Sequence, residues 1–383
     1  MRIFLVAGER SGDVLGAKLI EALRAQGGSA IEVVGVGGEA MARAGMASLF
    51  PLDDIAVNGF VAVLRRAPAL LRRIAETADA CVAFAPDALV LIDAPDFTHR
   101  VARRVRLAAP GVRILDYVSP SVWAWRPGRA SAMRAYVDGV LCLFPFEPAA
   151  HATLGGPPCT FVGHPLIEEL HTLRPSAAEE AAHGAEPAPL LVMPGSRASE
   201  IERLMPVFGE TVRRLASTGR GFTLALPAVA HLEGAIRAHA RDWPVQPDIV
   251  VGEREKRRAM RGARAALVAS GTATLEVALA GAPLVVAYRV SAVEGLAKYA
   301  IRVSSIVLPN LILGENVVPE FIQRACTPAA LAHALERLLD DPTARARQCA
   351  AFARLPALLA PADGAAPSRA AARAIRQSLD ATV

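Results

Sequence analysis

Two strand–turn–helix units, one heading each half of the chain, constrain its fold more than any other feature. An apolar run, Ile3-Phe4-Leu5-Val6-Ala7, breaks at Gly8 into Glu9-Arg10-Ser11-Gly12-Asp13 and resumes as a helical pattern at Val14-Leu15-Gly16-Ala17. Near mid-chain, Leu190-Leu191-Val192-Met193 runs into Pro194-Gly195-Ser196-Arg197 and then a helix-like stretch over 198–215. A strand, a small-residue turn and a helix open a doubly wound α/β domain, which binds ligands beyond the carboxyl ends of its strands. Two such Rossmann-like domains facing each other across a cleft fit an enzyme holding a nucleotide on one side and a second substrate on the other. The fold alone does not fix the function.

The rest of the chain keeps this rhythm. Strand-like runs at 31–35, Ala88–Ile92, Arg113–Tyr117 and 140–144 alternate with helical stretches, the pattern of a parallel sheet. Over 171–189 the periodicity collapses into Ala, Glu, Pro and Gly, and it resumes at 190–193, 223–226, Ala265–Ala269 and 284–287. These breaks predict a first domain over 1–170, a linker over 171–189, a second domain over 190–360 and a closing segment over 361–383 with a helix at 365–379. A length of 383 residues, 53% of them hydrophobic, is ample for two cores. The net charge of +5 permits attraction to phosphates, anionic lipid or nucleic acid without choosing among them. Cys81, Cys142, Cys159, Cys326 and Cys349 form no C-x-x-C pair and read as reduced core thiols of a cytosolic protein. The first apolar run is too short for a signal peptide, and Glu276 and Pro283 cut the apolar 265–288 stretch, so no transmembrane helix is expected.

Several segments carry chemistry. Ser270-Gly271-Thr272-Ala273-Thr274 follows an apolar run and opens a helix, where free N–H groups and the positive helix end receive a diphosphate. Glu276, one turn on, is placed to accept hydrogen bonds from ribose hydroxyls. An ordinary helix N-cap reads the same way. Arg197, beside the Gly195-Ser196 turn, is suited to bidentate phosphate contacts. Asp93 ends the Ala88–Ile92 run as a general base or as a helix cap, a role Asp96 fills equally well. Ser119, Trp123, Trp125 and Arg126 sit in Tyr117-Val118-Ser119-Pro120-Ser121-Val122-Trp123-Ala124-Trp125-Arg126, which either floors a cleft or plugs a core. Gly35-Val36-Gly37-Gly38-Glu39-Ala40 matches a dinucleotide fingerprint but follows the second strand rather than the first. Val61, Val63, Leu64, Leu70 and Leu71 recur at helical spacing among arginines. That pattern fits a helix packed on a sheet or one lying on anionic lipid, with Pro68 interrupting it. Arg254-Glu255-Lys256-Arg257-Arg258 reads as a solvated helix face rather than a nucleic-acid patch. Nothing in the pattern calls for a metal or a cofactor.

Taken together, Ala7-Gly8-Glu9, Ser11-Gly12-Asp13, Ile92-Asp93-Ala94-Pro95-Asp96-Phe97, the aromatic segment, Val162-Gly163-His164-Pro165, Pro194-Gly195-Ser196-Arg197, the Ser270 turn through Glu276 and Leu308-Pro309-Asn310-Leu311 closely resemble the lipid-A-disaccharide synthase family. The resemblance implies an α/β GT-B glycosyltransferase of a Gram-negative bacterium, with its last helix crossing back to the first domain. It implies peripheral attachment to the cytoplasmic leaflet of the inner membrane through Val61, Val63, Leu64, Leu70 and Leu71. The implied substrates are UDP-2,3-diacylglucosamine and 2,3-diacylglucosamine 1-phosphate, joined by a β-1,6 linkage with release of UDP; no nucleic acid and no cofactor take part. By resemblance Asp93 is the base with Glu9 beside it. Ser196, Arg197, Ser270, Gly271, Thr272, Glu276 and Asn310 surround the donor, and Ser11, Asp96, Ser119, Trp123, Trp125 and Arg126 line the acceptor cleft. A UDP-sugar epimerase on the same fold is the rival reading. It needs an acid/base pair acting on the sugar and no lipid-facing surface.

Overall fold

A computed structural model describes the chain except residues 28–30, 56–59, 291–304 and 381–383, and except the side chains of residues 60–65 and 182. Val61, Val63 and Leu64 therefore lie, as side chains, outside the described residues. The chain forms two compact units, Met1–Ile167 with Leu359–Val383, and Glu168–Leu358.

The first unit is built on a six-stranded, all-parallel sheet. Its strands are β1 (Arg2–Ala7), β2 (Glu32–Val36), β3 (Ala88–Ile92), β4 (Arg113–Tyr117), β5 (Gly139–Cys142) and β6 (Cys159–Phe161), in the order β2-β1-β3-β4-β5-β6. β1 and β3 are interior strands buried on both faces, which is why they read as unbroken apolar runs. One face packs against the Arg10–Gly27 helix through Leu15, Leu19, Ile20 and Leu23, and the last helix, Pro367–Asp380, joins this layer with Ala371 and Ile375. Gln26 Nε2 donates to the Arg369 carbonyl (2.9 Å) and Arg113 Nε to Ser378 Oγ (2.8 Å), fixing the last helix against this unit. The opposite face packs against the Phe60–Phe84 and Pro95–Ala108 helices through Ile74, Ala78, Cys81, Val101 and Val105.

The second unit carries β7 (Ala188–Met193), β8 (Phe222–Ala228), β9 (Asp248–Val251), β10 (Ala265–Ala269), β11 (Leu284–Tyr288) and β12 (Glu320–Ile322), again all parallel, in the order β12-β11-β10-β7-β8-β9. Counted from β7, this is the Rossmann order 3-2-1-4-5-6 read from the other edge. The sheet order reverses direction between β1 and β3 in the first unit and between β7 and β10 in the second. Those are the points where open α/β sheets leave a crevice for ligands.

Residues 171–189, expected as a linker, belong to the second unit. They include the Ala177–Ala182 helix, and Arg261 Nε pairs with Glu179 (3.0 Å) while the buried Arg264 pairs with Glu186 (2.7 Å). No helix among the described residues is long and apolar enough to cross a membrane.

Candidate active site

The strand ends on either side of the first switch point are drawn tightly together. A Cβ on Gly8 would stand 2.1 Å from the Ala94 Cβ, so only glycine lets the turn after β1 approach the turn after β3 this closely. Asp93 and Ala94 both adopt left-handed backbone conformations (φ 58° and 45°), as does Val118 after β4 (φ 87°). For residues other than glycine such conformations cost about 1–3 kcal/mol each and cluster at functional sites. They turn the Asp93 carboxylate out of the sheet, half-buried at the carboxyl edge. Its Oδ1 accepts from the Ala94 N–H (2.8 Å) and its Oδ2 from the Ser11 hydroxyl (3.3 Å). Glu9 and Ser11 are exposed at the start of the first helix, which begins at Arg10, earlier than the sequence pattern places it. Asp96 is exposed and paired with Arg129 at 3.0 Å.

The aromatic segment divides into two parts. Ser119 is buried, in a 2.8 Å hydrogen bond with His151 Nε2. Trp123 donates from Nε1 to Glu147 Oε1 (3.1 Å) and meets Phe146 edge-on. These two side chains anchor the loop. Trp125 is 44% exposed with the Arg126 guanidinium 4.3 Å over its ring, so this pair is the part open to a ligand. Glu147 is buried, and its Oε2 accepts from the Leu143 and Phe144 N–H groups (3.1 and 2.9 Å). Burial pushes its carboxyl up to about 7 against the downward pull of those hydrogen bonds.

The dinucleotide fingerprint at Gly35 has no vacancy for phosphate. The Asp13 carboxylate already accepts from the N–H groups of Gly38, Ala40 and Met41 at 2.7–3.0 Å.

At the second switch point a cavity of about 580 Å³ opens within the second unit, in the size range of small-molecule sites. Ser196, Arg197, Ser270, Gly271, Thr272 and Glu276 all line it. Among the described residues, no protein acceptor is bonded to the N–H groups of Gly271, Thr272 and Ala273, so the turn after β10 presents free donors. The Ser270 hydroxyl is already engaged, donating to the Ile306 carbonyl at 2.9 Å.

The sequence reading missed Glu200. Its Oε2 accepts from the Ser196 and Arg197 N–H groups (3.0 and 3.2 Å), and its Oε1 pairs with the Arg197 guanidinium (3.0 Å). The turn after β7 is thus already capped from within, and Arg197, 71% exposed as a side chain, is the group it offers a ligand. A Cβ at Gly195 (φ 111°) would lie 2.3 Å from Glu200 Oε2. Glu200 stands at the third position of the helix, where a glutamate reaches back to the N-cap N–H, and a glutamate three residues after the turn is the signal that reveals it.

Asn310 does not line the cavity. It is buried, its amide donating to Val318 O (2.9 Å) and Ser305 Oγ (3.3 Å) and its carbonyl accepting from the Val317 and Val318 N–H groups. The 254–258 run is not a uniformly solvated face either. Arg254 and Arg258 are exposed, but Lys256 turns into the cavity and Arg257 pairs with Glu169 and Glu253.

The family model described as lipid-A-disaccharide synthetase matches residues 3–367. The chain belongs to the lipid-A-disaccharide synthase family. It is 55% identical to the lipid-A-disaccharide synthase of Nitrobacter hamburgensis over 97% of its own length and 94% of the relative's. With that of Bradyrhizobium diazoefficiens the identity is 54%, over 94% and 92%. Solved structures share the fold at low identity. A Neisseria meningitidis UDP-GlcNAc 2-epimerase bound to UDP-GlcNAc aligns over all of both chains (TM-score 0.65, 12% identical), and Acinetobacter baumannii MurG over 98% and 99% (TM-score 0.59, 15% identical). A member of this family is a glycosyltransferase of lipid A biosynthesis on the GT-B fold, and membership counts against the epimerase alternative that the shared fold leaves open.

Proposed function

We propose that the enzyme transfers 2,3-diacylglucosamine from UDP-2,3-diacylglucosamine to the 6-hydroxyl of 2,3-diacylglucosamine 1-phosphate. The products are the β-1,6-linked disaccharide 1-phosphate and UDP. Family membership supports the reaction, and the observation that carries the mechanism is Asp93, a carboxylate held at a switch point by two left-handed residues and the Ser11 hydroxyl. An α-linked donor giving a β product requires one in-line displacement. The acceptor O6 bonds to the donor C1 as its proton passes to Asp93, and the C1–O bond to the diphosphate breaks with its electron pair leaving on UDP. Arg197 and the free N–H groups of Gly271, Thr272 and Ala273 receive the charge that grows on that leaving group. Glu276 accepts from the ribose hydroxyls, while Glu9, Ser11, Trp125 and Arg126 face the acceptor. Ser119 and Trp123 act by holding the acceptor loop, and Asn310 by holding the 317–318 segment.

Both substrates carry acyl chains that need an apolar surface, and the Phe60–Phe84 helix is the segment to which this reading assigns that contact. Leu71 is 49% exposed beside the exposed Arg72, whereas Leu70 packs partly on the core. Attachment of this helix to the cytoplasmic leaflet of the inner membrane follows on this reading. The test is incubation with both radiolabelled acylated substrates. Disaccharide 1-phosphate and UDP in equal amounts support the proposal; a 2-epimerised UDP-sugar without disaccharide, or no product, overturns it.

A further inference from the structure

Lys256 stands where helix electrostatics disfavour it. It is the fourth residue of the Glu253–Gly262 helix, and a cation in a first turn opposes the positive end of the helix dipole. It is also one of only three lysines among 42 basic residues, so a chain that otherwise uses arginine has an ammonium here. The surroundings supply the reason. The ammonium lies 2.9 Å from Glu253 Oε2 and 2.8 Å from Glu276 Oε2, a small point charge between two carboxylates where a planar guanidinium fork fits less well. Only 23% of its side chain is exposed, and 16% of that of Glu276. Burial works against the ammonium's charge, yet pairing with Glu276 and Glu253 carries its pKa above the ordinary lysine value.

Glu276 Oε2 is itself buried, and among the described residues the Lys256 ammonium is the cation that faces it. Without the ammonium, the Glu253 and Glu276 carboxylates would be left together at the wall of this cavity, and their repulsion would turn Glu276 from its present position.

We propose that Lys256 is a specificity-determining positioning residue of the nucleotide pocket. By pairing with Glu276 Oε2 it holds that carboxylate in one position at the cavity wall, and so sets recognition of the ribose diol. The inference rests on the assignment of Glu276 to the ribose and adds the residue that makes it selective.

The experiment compares binding of UDP and its 2′,3′-dideoxy analogue by calorimetry in the full-length protein, Glu276→Gln, Lys256→Met, Lys256→Gln and the Lys256→Met/Glu276→Gln double variant. The expected preference of the parent for UDP is about tenfold or more, the worth of hydrogen bonds to a charged acceptor. Each single variant should reduce that preference to within about threefold of unity, and the double variant should reduce it no further, since both residues act through one carboxylate. Lys256→Gln keeps hydrogen-bond donors without the charge and serves if Lys256→Met fails to fold. Retention of the parent's preference in Glu276→Gln overturns the ribose assignment itself. Loss in Glu276→Gln with retention in the folded Lys256 variants leaves that assignment standing and overturns only the role of Lys256.

Discussion

The Ser11 hydroxyl donates to Asp93 Oδ2 at 3.3 Å, joining two strand ends that lie 82 positions apart in the chain. The contact exists because β1 and β3 are neighbours at the sheet's switch point, and because Gly8 lets the two turns touch. The hydroxyl and the Ala94 N–H fix the carboxylate's plane. A base that must meet one hydroxyl proton benefits from arriving already oriented.

Asp93→Asn should therefore lower kcat by about 10²–10⁴-fold, the usual worth of general-base catalysis. Its carbonyl oxygen can still accept from Ala94 and its amide can donate to Ser11, and asparagine tolerates the left-handed backbone. The melting temperature and UDP affinity should stay near those of the parent. A kcat within threefold of the parent in this folded variant would remove Asp93 as the base.

Arg197→Ala should raise the donor KM by roughly tenfold or more, through loss of a charge-assisted contact, with a smaller change in kcat. Glu200→Gln should shift donor KM in the same direction but less. Its carbonyl can still accept from the Ser196 and Arg197 N–H groups, while the ion pair that orients the guanidinium is gone. Steady-state kinetics with donor varied at fixed acceptor would check both; unchanged donor KM in Arg197→Ala contradicts its place at the diphosphate.

Central strands such as β3 and β10 were legible because they are buried on both faces and so are apolar at every position. β6, β9 and β12 were not. They are edge strands of three or four residues, partly exposed, with apolar runs of at most three residues within them, too short to mark them. At the site, the turns after β3, β7 and β10 were legible from small and polar residues following apolar runs. Lys256 and Glu147 were not, because their partners are brought to them only by the fold: Glu276 lies 20 positions beyond Lys256, and Trp123 24 before Glu147. The internal bonding of Asn310, which the family resemblance places at the donor, is invisible for the same reason, because its partners at 305, 317 and 318 are brought to it by the fold.

Leu71→Ser should weaken binding to anionic vesicles without lowering the melting temperature, because that side chain is half exposed on the Phe60–Phe84 helix. Ile74→Ser, on the buried face of the same helix, should instead destabilise by about 2–4 kcal/mol. Vesicle co-sedimentation beside thermal melting separates the two effects. Unaltered vesicle binding in Leu71→Ser would argue against this stretch as the membrane contact.

Glu147 gives a pH dependence with a definite sign. Burial raises its carboxyl from 4.5 to about 7 in the folded protein, so the folded state holds a proton that the unfolded chain releases between those values. The group's contribution is complete below pH 4.5 and is lost as pH rises through about 7, amounting to at most about 3 kcal/mol. His164 acts in the opposite sense. Burial lowers it from 6.5 to about 4, so its contribution is present above 6.5 and is lost as pH falls towards 4. In the parent these two slopes oppose each other across pH 4.5–6.5, and melting of the parent alone cannot separate them. Glu147→Gln removes one slope only. It cannot ionise, and its amide oxygen can still accept from Leu143 and Phe144, though its amide N–H groups cannot accept from Trp123. The melting temperature of Glu147→Gln minus that of the parent should therefore rise steadily from pH 4.5 to pH 7.5, whatever its sign at the acid end. A difference that is flat or falling over that range would mean that Glu147 is already ionised in the folded protein at acid pH, with its three N–H donors outweighing burial.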